Sequence, residues 1–294
     1  MLSLIICSRT PALDEALLQN IAETTGVPYE VICVDNSQNR YSIFSAYNYG
    51  ASLAKYDLLC FMHSDILFRS ADWGKIVAGK LAEPGVGVIG VAGSTLKWGV
   101  PTPWWIADSA NFERYLRYNI VQHFSAGVVR RTATGKDVTE KWNEVIVLDG
   151  VWMCCRKQVW GQLRFDEKNY RGFHFYDLDF SLNAFTKGYR NFVSQEVLLE
   201  HFSAGDRNRA WIEVARIFHR KWRRVLPLSL ETLGPEEKEE LNAATAKDFV
   251  RTMTFNRYHD LWLWPKYWLR IFRRAPFAKD TFMNLYLFGR SYVR

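Results

Sequence analysis

Five residues able to do chemistry stand where an apolar run stops or a helical pattern opens: Asp35, Asp65, Asp177, Asp179 and His201. Carboxylates with one imidazole suit Mg²⁺ or Mn²⁺, and a diphosphate would supply further oxygens. A divalent ion shared with a diphosphate stabilises a leaving phosphate, while a separate carboxylate can take the proton of an attacking hydroxyl. That is the equipment of glycosyl or nucleotidyl transfer. The sharpest stretch is "FMHSDILF" (61–68), where His63, Ser64 and Asp65 interrupt an apolar run. A metal site would be expected to offer two carboxylates there, and His63 takes the place of the first. Each residue also has a plainer reading. Asp35–Asn36–Ser37 is good turn chemistry, Asp177 or Asp179 could cap a helix, and His201 could be packed in a core.

The elements that would position these groups alternate. "LSLIIC" (2–7) is a continuous apolar β-favouring run, as in a strand buried on both faces. "DEALLQNIAETTG" (14–26) has helical spacing, "YEVICVDNS" (29–37) reads as a second buried strand, "SIFSAYNYGASLAK" (42–55) as a helix and "YDLLCFMHSDI" (56–66) as a third strand. This rhythm predicts a mostly parallel sheet with right-handed crossovers and ligands beyond the carboxyl ends of its strands. Those ends are Ser8–Arg9, Asp35–Asn36–Ser37 and His63–Ser64–Asp65. No GxGxxG or GxxxxGK[ST] is present, which argues against a dinucleotide site or a P-loop. "VGVIGVAGS" (86–94) is a further strand, and 95–148 reads as irregular. From Ala210 apolar residues recur at helical intervals, and Gly234–Pro235 opens another helix on acidic residues.

Composition narrows the class. Aromatic residues are abundant, with 12 Trp, 14 Tyr and 19 Phe, and such rings often line sugar and nucleotide sites as well as cores. The net charge of +7 is uneven: residues 1–206 hold 20 Lys+Arg against 22 Asp+Glu, and 207–294 hold 18 against 9. The larger part has no basic excess, which argues against nucleic acid as a partner. The five cysteines have no disulfide or zinc spacing and read as reduced, mostly buried thiols of a cytoplasmic protein. "MLSLIICSRTP" has too short an apolar stretch and neither the basic n-region nor the small-residue cleavage site of a signal peptide, and no run approaches the roughly 20 apolar residues of a membrane span. "FHRKWRRVLP" (218–227) and "WLWPKYWLRIFRRAPF" (262–277) mix aromatic and basic residues. They suit an anionic membrane interface, or helices packed on the catalytic domain with solvated charges.

Five stretches in order carry a resemblance: "VICVDNS", "YNYGASLAKYDLLCFMHSDILF", "LDGVWMCCRKQVW", "YDLDFSLNAFTKGYR" and "LLEHFSAG". Together they resemble the family 2 glycosyltransferases of GT-A fold, especially the bacterial surface-polysaccharide branch. The resemblance implies a catalytic domain over 1–205 and a helical, basic and aromatic extension over 206–294. It implies Asp35, with Ser8 and Arg9, as nucleotide contacts; Asp65, matching the last aspartate of DxD, and His201 as ligands of Mg²⁺ or Mn²⁺; and Asp177 as catalytic base. His63, Ser64, Gly150 and Asp179 would contact donor or acceptor. Two departures stand out: His63 replaces the first acid of DxD, and Tyr176 replaces the glutamate before the base. The implied activity is inverting hexosyl transfer from a UDP-, GDP- or dTDP-sugar to a saccharide or lipid-linked acceptor, in capsule, lipopolysaccharide or exopolysaccharide synthesis. Peripheral contact with the inner face of the membrane would run through 207–294. A catalytically inactive nucleotide-sugar-binding scaffold and a nucleotidyltransferase of the same fold are the alternatives.

Overall fold

A computed structural model describes residues 1–106, 110–124, 129–134, 140–203, 205–274, 276–277, 282–283, 285–286 and 289. Its first elements follow the expected alternation. β1 (Leu2–Ser8) leads to α1 (Glu15–Thr24), β2 (Tyr29–Asp35), α2 (Ile43–Leu53) and β3 (Leu58–Met62). Asp14 caps α1 by accepting from the amide of Ala16, and Ser42 caps α2 through Ser45. Gly50 lets α2 lie close on β1, since a Cβ there would stand 2.4 Å from Ile5 Cγ2.

Then β4 (Ile66–Phe68), α3 (Trp73–Leu81), β5 (Val86–Gly90), β6 (Ala92–Ser94), β7 (Leu96–Lys97), β8 (Leu116–His123) and β9 (Val129–Thr134) follow. After them come β10 (Trp142–Val145), β11 (Val147–Leu148), β12 (Trp152–Arg156), α4 (Lys157–Leu163), α5 (Tyr176–Thr186), β13 (Arg190–Ser194) and β14 (Leu199–His201). The chain ends with α6 (Arg209–Lys221), β15 (Leu228–Ser229), α7 (Pro235–Phe255) and α8 (Leu263–Arg274).

The main sheet has the order β10-β13-β5-β12-β3-β1-β2. β2, β1 and β3 run parallel, as expected, and so do β13 and β5; β12 runs antiparallel to both neighbours, and β10 antiparallel to β13. Two sequence readings need correction. β2 is an edge strand with only Val34 buried, and Cys33 on it is exposed, because an apolar run cannot reveal which neighbour is missing. "VGVIGVAGS" is two strands in two sheets that break at Val91. The second sheet is β11-β6-β8-β14-β4 with β9 on β8, and two of its strands, β8 and β9, lie in the stretch that reads as irregular.

Four times the chain leaves the main sheet and continues straight into the second: at residues 63–65, at Val91, at Ile146 and across 195–198. Between the layers and helices lies a core that includes Leu4, Ile6, Met62, Phe68, Trp73, Ile89 and Trp152. Burying each such side chain contributes roughly 1.5–3 kcal/mol, so the strand ends are held on a rigid base.

The chain divides into two compact units, residues 1–95 with 115–205 and residues 96–114 with 206–294. The second unit holds α6, α7, α8 and the β7–β15 pair, and Trp98 Nε1 donates to Asn242 of α7 at 3.0 Å. Among the described residues no helix is long and apolar enough to cross a membrane.

Candidate active site

The junction between β3 and β4 carries His63, Ser64 and Asp65, and strand register decides what meets them. His201, the last residue of β14, is paired with Ile66, and the amide of Phe202 donates to the carbonyl of Asp65 at 3.0 Å. The amide of His63 donates to Val151 at 3.0 Å, which brings in the turn before β12. Asp65 Oδ1 then lies 3.8 Å from His63 Nδ1 and 3.7 Å from His201 Nε2, and the two ring nitrogens are 3.4 Å apart. One ligand atom from each of the three residues falls within 4.8 Å of the others.

The surrounding hydrogen bonds assign the imidazole tautomers. Tyr176 Oη donates to the Gly150 carbonyl at 3.0 Å, so toward His63 Nε2, 2.8 Å away, it accepts. His63 therefore carries its proton on Nε2 and leaves a lone pair on Nδ1. Gln122, adjacent to His201 in the β8–β14 register, uses its amide hydrogens on the carbonyls of His123 and Ser203. Its Oε1 accepts from His201 Nδ1 at 3.0 Å, which leaves the lone pair on Nε2. Two imidazole lone pairs and a carboxylate oxygen thus converge, with the Ser203 hydroxyl 3.3 Å from His201 Nε2 beside them. That donor set, oriented by second-layer hydrogen bonds, fits a divalent cation. Burial, together with His201 opposite, pushes the pKa of His63 below the usual imidazole value. Burial raises that of Asp65, but the Ser203 hydroxyl and the two imidazoles outweigh it and hold the carboxyl below its ordinary range.

Asp177 sits in the first turn of α5, on the far side of Tyr176. Phe175, which precedes the helix, adopts φ 65°, a left-handed conformation costing roughly 1–2 kcal/mol for a side-chain-bearing residue. Asp177 Oδ2 accepts from the amide of Gly150 at 2.9 Å. Burial and the charge of Asp149 push its pKa up to about 7. Gly150 is required at this spot, since a Cβ would stand 2.1 Å from Tyr176 Oη. A hydrogen-bonded path therefore runs from Asp177 through the Gly150 peptide and Tyr176 to His63.

The other expected residues are placed differently. Asp35, at the end of β2, is exposed and accepts from the amide of Ser37 at 2.9 Å, a turn that lowers its pKa. Ser8 lies beside it in register, buried, with its hydroxyl 3.0 Å from that of Thr10, and Arg9 is exposed. Ser64 is half-buried within the 63–65 junction. Asp179 is engaged elsewhere, 2% exposed and accepting from the Tyr170 hydroxyl at 2.9 Å. Asp149, Tyr176 and Gln122 join the site without having been singled out as participants. The signal for Asp149 and Tyr176 was their adjacency to Gly150 and Asp177; for Gln122 no sequence pattern pointed to it.

The model of a glycosyltransferase-like family matches residues 3–217. The solved structure of S. aureus TarS 1–349 is similar at 15% identity and a TM-score of 0.51, over 94% of this chain and 81% of that one. The same protein in complex with UDP matches at 14% identity and a TM-score of 0.49, over 98% of this chain and 90% of that one. A structure of GalNAc-T7 with UDP, GalNAc and Mn²⁺ matches at 9% identity and a TM-score of 0.49, over 94% of this chain and 58% of that one. This chain thus spans less than two thirds of the GalNAc-T7 chain. No curated protein matches it in sequence.

Proposed function

The chain belongs to the glycosyltransferase-like family and has the GT-A fold, and on that premise we propose that it is an inverting hexosyltransferase using a nucleotide-diphosphate sugar. The acceptor hydroxyl gives its proton to Asp177 and attacks the anomeric carbon. The bond from that carbon to the diphosphate oxygen breaks with its electron pair leaving on the diphosphate, through an oxocarbenium-like transition state. Asp177 suits the task because a base with a pKa near the working pH combines the correct protonation state with driving force. Its hydrogen bond from Gly150 fixes the carboxylate's direction.

His63, Asp65 and His201 would hold Mg²⁺ or Mn²⁺, which would supply positive charge against the diphosphate. Assigning His63 to this set takes one of the two roles the sequence offers it, metal ligand or donor contact. Asp35, Ser8 and Arg9 would contact the nucleotide from the ends of β1 and β2. Asp149 is an added participant that tunes Asp177 by its charge.

The observation that carries this reading is the convergence of the two imidazole lone pairs and the Asp65 carboxylate. It also speaks against a decayed scaffold. The two departures from the family pattern, His63 and Tyr176, are bonded to each other and serve the same donor set. For the acceptor, the reading is a saccharide or lipid-linked intermediate of a bacterial surface polysaccharide, approached from the cytoplasmic side with residues 207–294 against an anionic membrane. What supports that last part is the basic excess of 207–294 and the exposed Leu261, Trp262 and Phe277.

The test is turnover of UDP-, GDP- and dTDP-sugars by wild type, Asp65→Ala and Asp177→Asn. Both variants are expected to lose at least about a hundredfold in kcat. Wild-type rates in both would overturn the reading.

A further inference from the structure

The helical unit holds a cavity of about 690 Å³, and its lining is cationic. Arg216 and Arg220 of α6, Arg223 just past its end, and Lys266 and Arg270 of α8 all face it, with Trp98 contributing an apolar wall. Arg216, Arg220 and Arg223 recur at four and three residues, and Lys266 and Arg270 at four, so each helix turns one basic stripe toward the same space. The helix dipole accounts for cations in the last turn of α6. It does not account for Lys266, which sits in the first turn of α8, where the dipole disfavours positive charge.

Apart from Arg216, the charges are also uncompensated. Glu213 is the one carboxylate lining the cavity, and it is taken up by the Tyr258 hydroxyl at 2.7 Å and by Arg216 at 3.8 Å. Arg216 is further held by Asp260 at 3.3 Å. Among the described residues no carboxylate pairs with Arg220, Arg223, Lys266 or Arg270. By contrast Arg274, on α8 but not lining the cavity, lies 3.6–3.9 Å from Glu236, Glu239 and Glu240. Lys266 and Arg270 instead lie 5.4 and 5.1 Å from the centre of the Tyr267 ring, which braces them without neutralising them.

Four unpaired cations around one concave space focus a positive potential on it. Guanidinium forks match phosphate oxygens bidentately, and the volume falls in the range of small-molecule sites rather than of a lone ion. We propose that this cavity binds a phosphate-bearing anion of at least two negative charges, presented either as a free phosphate ester or as the head group of an anionic lipid. The site stands apart from the transfer chemistry, and its lipid arm rests on the membrane contact proposed above for residues 207–294.

Full-length wild type, the pair Arg220→Gln with Arg223→Gln, and a charge-matched control, Arg224→Gln with Arg273→Gln outside the cavity lining, test this. Inorganic pyrophosphate binding is followed by calorimetry. Sedimentation with phosphatidylcholine vesicles, with and without phosphatidylglycerol, follows the lipid arm, and circular dichroism checks folding. The cavity pair is expected to bind at least about tenfold more weakly than wild type, because two charge-assisted hydrogen bonds are lost. The control is expected to match wild type with pyrophosphate and to lose less vesicle binding than the cavity pair. A defect confined to vesicles assigns a lipid head group, and one confined to pyrophosphate assigns a free ester. Equal binding by the cavity pair and wild type, or an equal loss in the control, overturns the proposal.

Discussion

One hydrogen bond of 2.8 Å joins Tyr176 to His63, so Tyr176→Phe removes a contact without touching any proposed ligand. Losing an outer partner of a metal-bound imidazole typically costs 10–100-fold in metal affinity, and a drop of about that size in Mn²⁺ binding by calorimetry is expected. An unchanged affinity would show that Tyr176 does not orient His63. At Asp177 the raised pKa sets the pH dependence. The base is protonated and idle below about 7, so kcat/KM should rise with an apparent pKa of about 7. Asp149→Asn removes a like charge and should move that limb to lower pH; a limb that stays put excludes Asp149 as its cause. The same shift has a stability sign. The folded state holds this proton more tightly than the unfolded chain, so stability falls as pH rises from the ordinary aspartate value of about 4 toward 7. Asp177→Asn should therefore raise the melting temperature above about pH 7 and leave it little changed below about pH 4. Breaks in apolar runs and helical patterns mark Asp65, His201 and Asp177 in the sequence, but they mark Asp35 and Asp179 equally, and the family resemblance is what gave each its proposed role. The roles of Gln122 and Asp149 were not, since they arise only when β8, β12 and α5 come together.

α5 presents Tyr176 and Asp177, and besides their own hydrogen bonds a buried amide ties it to β5 and β13. Asn191 on β13 donates to the carbonyls of Ser181 on α5 and Ile146, at 2.8 and 3.0 Å, and accepts from the amide of Val88 on β5 at 3.2 Å. Asn191→Leu would take this partner from the Val88 amide and the Ile146 carbonyl, while the Ser181 carbonyl keeps its place in the helical ladder, and each unsatisfied buried group costs about 1–3 kcal/mol. A loss of about 3 kcal/mol or more is expected in urea unfolding. Wild-type stability would mean that Asn191 does not help hold the helix. Elements of this kind differ in how far sequence discloses them. α1, α2, β1 and β3 carry their periodicity and caps in contiguous residues, so pattern alone locates them. Several strands of the second sheet, such as β6 and β11, of three and two residues, are too brief to show a period. The edge position of β2 is likewise a property of its neighbours. That is why it read as buried.

The division of the chain is discontinuous, and this bears on how it can be cut. Residues 96–114 belong with 206–294: Leu96 and Lys97 pair with Ser229 and Leu228, Lys97 Nζ lies 5.6 Å from the centre of the Phe218 ring, and Arg114 pairs with Glu237. A chain ended at residue 205 would keep this segment and strip it of those partners. Trp98, Val100 and Ile106, buried in the whole protein, would lose neighbours contributed by the removed helices. The unit made of 1–95 and 115–205 is closed by itself, because the amide of Thr95 donates to the carbonyl of Tyr115 at 2.9 Å. Two residues so close can be joined by a short glycine turn in place of 96–114. The chain 1–205 is expected to aggregate or unfold without cooperativity, whereas the same chain with 96–114 replaced by such a turn should unfold in one transition. Size-exclusion chromatography and thermal unfolding of the two proteins decide the matter. If 1–205 folds as well as the shortened chain, then 96–114 does not depend on the helical unit, and the boundary near residue 205 is the simple one the sequence suggested.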